Sequence, residues 1–226
     1  PGEPARCFAS ESHLDEIASA LGADPVEFRL RYLGENNRLR EVLLAATKKA
    51  GWQTRPSPAP ASRGSRVTGR GVAIVDRSNT MVAVVAEVEV DKSNGKVAVQ
   101  RITVAHDCGL IINPDGLKNQ IEGQVIQGVS RTLLEEVHFD ASSVKSLDWK
   151  TYPVLRFQDV PDTEIVLISR PEMPAFGGGE ATIVPMPAAI GNAVFDALGV
   201  RLREVPLTPQ RILSALKDGA SRTPRA

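Results

Sequence analysis

Residues Pro174–Glu180 read PAFGGGE. Consecutive glycines are costly to order, because glycine loses more backbone freedom on folding than any other residue. A chain keeps such a run where it must turn sharply or lie against another body. Glu180 closes the run and leads into a helical stretch. No Lys or Arg occurs between Arg170 and Arg201, and Phe176, Ile183, Val184 and Met186 surround the carboxylate in sequence. A carboxylate among apolar neighbours with no local cation is expected to hold a proton more readily, which suits general base or acid work near neutral pH. The alternative is a glutamate that caps a helix and meets its positive end.

A second stretch, residues 106–128, reads HDCGLIINPDGLKNQIEGQVIQG. Asn113-Pro114-Asp115 marks a turn into a helix. Within that helix Gly116, Gln120, Gly123 and Gln127 fall at i, i+4, i+7 and i+11 and share one face. Interior glycines cost about 1 kcal/mol each relative to alanine, so this face is expected to be approached closely. Glutamine amides donate and accept, as a heterocyclic, oxygen-rich ligand requires. Helix packing through the glycines, with the glutamines in solvent, is the other reading. His106 with Asp107 is a candidate metal or acid–base pair, against a structural role at a strand end. Cys108 reads as a small buried hydrophobe, His13 as exposed, and Trp52 and Trp149 as packing residues. Glu135 and Glu136, adjacent on a helix, do not face a common site.

These residues need elements to position them. Leu14, Ile17, Ala18 and Leu21 recur at helical spacing up to Gly22, and Asp24-Pro25 is an N-cap followed by proline in a first turn. A third helix carries Leu39, Val42, Leu43 and Ala46 and ends at Gly51. Residues 53–66, rich in Pro, Ser and Arg, read as a linker or exposed loop. Alternation over 67–106 predicts strands, one through Met81–Val90 and a partner over Val97–Ala105, joined at Asn94-Gly95 by a type I′ hairpin turn. A helix is expected over Asp115–Glu136, strands over Val154–Phe157 and Glu164–Ile168, a helix over Pro187–Leu198 stopped by Gly199, and a short helix from Thr208-Pro209. The fold class is α+β. The expected organisation is a helical segment over 1–52, a linker over 53–66, an α+β segment over 67–217 and a flexible tail over 218–226.

Bulk properties exclude several classes. The chain has 226 residues, with Lys plus Arg and Asp plus Glu at 27 each, so the net charge is zero. Such a balance leaves no electrostatic footprint for nucleic acid or a membrane surface, and no apolar run is long enough to span a bilayer. The cysteines, Cys7 and Cys108, form no CxxC pair, so neither a zinc nor an iron–sulfur site is expected from this chain alone, whereas one disulfide stays open. A start at Pro1 reads as part of a longer chain. No targeting segment is visible, so cytoplasm and periplasm both stay open.

In order along the chain, these segments resemble the molybdenum hydroxylase large subunits of the xanthine dehydrogenase/aldehyde oxidase family. PGEPARCFASESHLDEIASALGADPVEFRLRYL, the DCGxxINPD…QIEGxxxQG run, YPVLRFQDVPDTEIVLI followed by GGGE, and ALGVRLREVPLTPQRIL carry the likeness, from Pro1 to about Leu216. The branch is that of isoquinoline 1-oxidoreductase β subunits and related aldehyde dehydrogenases. The resemblance implies the mixed helices and sheets of a molybdopterin-binding domain, with Glu180 as base toward the water that becomes the product oxygen. It places Gln120, Gly123, Gly178, Gly179 and Gly2 at the cofactor, and no protein side chain as a metal ligand. The implied cofactor is molybdenum–molybdopterin, in its plain or cytosine dinucleotide form, with [2Fe–2S] centres only in a partner small subunit. The implied partners are that small subunit, the N-terminal part of the large subunit and a small aldehyde or N-heterocycle. Ala181-Thr182 departs from relatives that carry Gly or Pro there. A scaffold that keeps the fold without catalysis is one competing reading. Another is an unrelated hydrolase using Glu180 with His106, which needs those side chains within hydrogen-bond reach, directly or through one water.

Overall fold

The computed structural model describes residues 2–35, 37–59 and 64–222, with side chains as far as 218. In chain order it contains α1 (Glu3–Ala20), α2 (Pro25–Tyr32), α3 (Asn37–Ala50), β1 (Arg66–Arg77), β2 (Thr80–Asp91), β3 (Lys96–Asp107), α4 (Pro114–Leu133), β4 (Asp162–Leu167), α5 (Met186–Leu198) and α6 (Pro209–Arg222). The sheet order is β1-β2-β3-β4; the first three strands are antiparallel, and β4 runs parallel to β3. This is the expected α+β class.

Both faces of the sheet are covered, which is why β2 reads as a nearly unbroken apolar run. Val82 and Val84 point into a core shared with Ile121 and Val125 of α4 and Ile190 and Val194 of α5. Ala83 and Val85, on the opposite face, meet Val42, Leu43 and Ala46 of α3. Helix α5 lies directly on β1. A Cβ at Gly71 would run into the Ala189 carbonyl and the Ala193 amide, so the missing side chain allows the approach.

Several local expectations change. Helix α1 begins at Glu3, far upstream of the apolar repeat, because Gly2 and Pro4 form a helix start: the Gly2 carbonyl accepts from Arg6 N–H at 3.1 Å. The Asp24 cap is as expected, its carboxylate accepting from Val26 and Glu27 N–H. The β2–β3 hairpin does turn at Asn94-Gly95, but through a four-residue loop, 92–95, in which Gly95 and not Asn94 has positive φ. A type I′ pattern occurs instead between β1 and β2, where Ser78 and Asn79 have φ of 51° and 69°. Residues 154–156 are not a strand, and Phe157–Asp159 form one 3-10 turn. Ser and Pro in 53–59 do not make a free linker. Asp196 of α5, fully buried, accepts from Arg55 and Ser57 and fixes the segment across α5, while 60–63 lie outside the described residues. Helix α6 continues to Arg222 through the first part of the expected tail; 223–226 lie outside the described residues. Cys7 and Cys108 are free and buried. No described helix is long and apolar enough to cross a membrane.

Candidate active site

The glycine run crosses the N-terminal half of α4. Helix α4 starts cleanly: Asn113 caps it, accepting from Gly116 N–H at 2.9 Å, and Pro114 occupies the first turn. Its buried stripe, Leu117, Ile121, Val125 and Val129, faces the core, while Gln120, Gly123 and Gln127 stay exposed. The shared face read from the sequence therefore exists, and it is open: a Cβ at Gly123 would meet nothing within 4 Å. Packing of these residues on another helix of the described chain is not found.

The loop comes to this face. A Cβ at Gly178 would stand 2.5 Å from Leu117 Cδ1, so this glycine lets the loop lie flat on α4. A Cβ at Gly179 would point instead toward Gln120 Oε1, 4.0 Å away. Gln120, Gly178 and Gly179 line a cavity of about 270 Å³ together with Cys108, Asn113 and Phe176. A larger groove, about 630 Å³, lies at the far end of β3, around Lys96 and Leu207, and touches none of these residues.

Glu180 is not isolated. Its side chain is 72% exposed, and Oε1 pairs with the Arg77 guanidinium from the end of β1. The same guanidinium pairs with Glu3 of α1, next to Gly2. Apolar surroundings and the lack of a cation, both inferred from nearby sequence, thus fail: the cation arrives from a strand remote in sequence, and the apolar neighbours Ile183, Val184 and Met186 turn inward. Gly2, at the head of α1, adjoins Glu3 of this Glu3–Arg77–Glu180 chain, and Gly123 lies farther along the open face of α4.

Behind the loop sits a buried polar set that sequence reading missed. Thr80 Oγ1 donates to the Gly177 carbonyl at 2.8 Å. Gln124 Nε2 donates to the Gly178 carbonyl at 2.9 Å and to the Gln120 carbonyl at 3.0 Å, and its Oε1 accepts from Thr182 N–H at 2.7 Å. Thr182 Oγ1 stands 3.1 Å from His106 Nδ1. His106 is fully buried and its Nε2 has no partner; desolvation pulls its pKa down to about 4, against a smaller opposing pull from Asp107. No direct hydrogen bond joins His106 to Glu180 among the described residues: His106 is fully buried behind the loop, whereas the Glu180 side chain is exposed at its rim. Asp107 instead anchors two cations, accepting from Arg38 Nε at 3.0 Å and from Arg170 Nε at 2.6 Å, and these hydrogen bonds keep its carboxyl below the usual range against the opposing effect of burial. One signal was available for Gln124: it falls on the buried stripe with Leu117, Ile121 and Gly128, and a glutamine there must find hydrogen-bond partners.

Comparison with known proteins agrees with this architecture. Residues 68–161 match the molybdopterin cofactor-binding domain family. One subunit of the nicotinate dehydrogenase of Pseudomonas putida is 42% identical over 219 residues, covering 92% of this chain and 18% of the relative. The β subunit of isoquinoline 1-oxidoreductase from Brevundimonas diminuta is 35% identical over 202 residues, covering 89% of this chain and 25% of the relative. The chain thus spans a quarter or less of the length of these relatives. Aldehyde oxidoreductase of Desulfovibrio gigas superposes with a TM-score of 0.76 over 96% of this chain and 41% of that one; at 18% identity this shows the shared fold. The chain belongs to the xanthine dehydrogenase family of molybdopterin-binding large subunits, as a segment of one.

The donor set and space at this edge are of the kind a pterin needs: among the described residues the Gln120 side-chain amide has no hydrogen-bond partner and stands beside Gly179 at the cavity, and a Cβ at Gly123 would meet nothing within 4 Å.

Proposed function

We propose that this chain supplies the base and part of the cofactor bed of a molybdenum hydroxylase that oxidises an aldehyde or an N-heterocycle with water as the oxygen source. The observation that carries the reading is the convergence of the glycine loop and α4 on one open edge. It brings Gly179 to Gln120 and sets Glu180 at the rim.

Gln120, with the Gly178 and Gly179 backbone and the open surface at Gly123, would hold the pterin, and Gly2 would lie near it at the head of α1. When bound, the molybdenum cofactor supplies the two-electron oxidation of an electron-poor carbon. Within that setting the Glu180 carboxylate takes a proton from water. Arg77 holds Oε1 and orients the carboxylate, leaving Oε2 to carry the proton. Arg77 also pairs with Glu3, so the same guanidinium ties the head of α1 to the carboxylate. Electrons would leave through [2Fe–2S] centres of a partner subunit, and the rest of the large subunit would close the open face of α4.

The test is metal and pterin analysis of the intact assembly, native and Glu180→Gln, with turnover of aldehydes and N-heterocycles. The expected result is stoichiometric molybdenum and pterin in both, with turnover in the variant reduced by about 10²–10⁴-fold, the usual contribution of a positioned base. A matured native assembly without molybdenum, or a variant that turns over within a few-fold of native, would overturn the reading.

A further inference from the structure

We propose that Gln124 is a positioning residue that sets where Glu180 stands relative to helix α4. The inference rests on the base reading of Glu180 given above, but its geometry is independent of it.

A run of three glycines ending in a functional residue poses a mechanical problem. Its backbone has the largest freedom available to a chain, and proximity effects in catalysis are lost with displacements of about 1 Å. Something outside the run has to fix it. Gln124 does so on both sides of Glu180. Its Nε2 donates to the Gly178 carbonyl, upstream of the glutamate, and its Oε1 accepts from Thr182 N–H, downstream of it, at 2.9 and 2.7 Å. The second Nε2 proton goes to the Gln120 carbonyl at 3.0 Å, in the turn of α4 whose side chain faces Gly179. One amide therefore ties the two loop ends to the helical turn that carries Gln120. Its donors and its acceptor are all engaged, and the residue is 5% exposed, so water offers no substitute.

Neighbouring groups add to the hold without replacing it. Thr80 secures Gly177 from β2 and His106 secures the Thr182 side chain, but neither spans the glutamate. The clamp needs an amide. A carboxylate of the same shape has no donor and would present oxygen to two carbonyls, and a methionine of like volume makes none of the bonds.

The experiment uses the intact assembly with Gln124→Glu and Gln124→Met, read by amide hydrogen exchange, by molybdenum and pterin content, and by kcat and KM. In both variants cofactor content is expected to stay native. Exchange at 178–182 is expected to quicken about tenfold, the effect of losing one to two net hydrogen bonds, while exchange over 125–133 of α4 is unchanged. With it, kcat should fall about 10²-fold and KM move by less than about threefold. A role in mere space-filling predicts that Gln124→Met behaves as native in exchange and in kcat, and that result overturns the proposal. So does faster exchange with native kcat, or native exchange in both variants. Gln124→Met keeps the test open where Gln124→Glu fails to assemble. Glu180→Gln in parallel separates the two readings: native turnover in that variant removes the base and with it the kcat criterion for Gln124, leaving exchange at 178–182 to decide whether Gln124 fixes the loop.

Discussion

At the residue scale, charge was the property least legible in the chain. The run between Arg170 and Arg201 holds no cation, yet Arg77 reaches Glu180 from another strand. Position along a chain says little about electrostatic neighbours that tertiary structure supplies. Gly178 shows the reverse: a glycine marked as a close-approach position is one, although the body it approaches in this chain is Leu117. Thr182 has a physical role in the pairing with His106. The burial of His106 gives a pH prediction. The folded-state pKa of His106, about 4, lies below its ordinary value of 6.5. The unfolded chain therefore takes up a proton as pH falls through 6.5, and the folded chain does not until about 4. The contribution to stability is complete above 6.5 and is lost progressively down to 4, on the order of 3 kcal/mol across the window. Urea midpoints between pH 7.5 and 4.5 should fall in the native protein and fall less steeply in His106→Gln. Parallel slopes in the two would remove His106 as the source.

Elements were legible where periodicity or capping chemistry spoke clearly. The Asp24-Pro25 and Asn113-Pro114 starts follow from which backbone groups a side chain can satisfy, and the Gly199 stop from a left-handed φ of 69° that glycine adopts freely. Strand pairing was read correctly at Asn94-Gly95, but the turn chemistry was assigned to the wrong hairpin, since Ser78 and Asn79 adopt left-handed φ without a glycine between them. Val154–Phe157 lacks a partner strand, and apolar character alone does not make a ladder. Where elements meet, glycine sets the spacing. Gly71→Ala would drive a methyl into the backbone of α5, which cannot yield as a flexible side chain can. The expected loss is about 3 kcal/mol, at the upper end of overpacking effects, measured as a shift in chemical denaturation midpoint. Gly123→Ala, on the open face, should leave stability unchanged or slightly raised through helix propensity. Equal destabilisation by both would contradict the contact of α5 with β1.

At the scale of the whole molecule, Asp107 joins parts that the sequence separates. Buried at the end of β3, it accepts from Arg38 of α3 on one side and Arg170, beyond β4, on the other, and its Oδ1 takes Gly109 N–H at 3.0 Å. Asp107→Asn removes the buried carboxylate that Arg38 and Arg170 share, Arg170 keeping its pair with Glu41, and should destabilise by about 3 kcal/mol; a double-mutant cycle with Arg38→Met should show strong coupling, and additive effects would argue that the pairs act separately. The sequence marked Asp107 as a possible acid–base partner of His106 because it could not show which layer would meet the strand end. One arrangement reaches further. The tight turn at Ser78-Asn79 is flanked by Arg77 and Thr80, and these two grip the glycine loop at Glu180 and Gly177. A surface hairpin tip is where protein engineers usually place epitope tags, fluorescent labels or circularly permuted termini. In this molecule even a one-residue insertion there would re-aim the carboxylate, so that site should be kept for probes meant to report on the loop, and every other cargo belongs elsewhere.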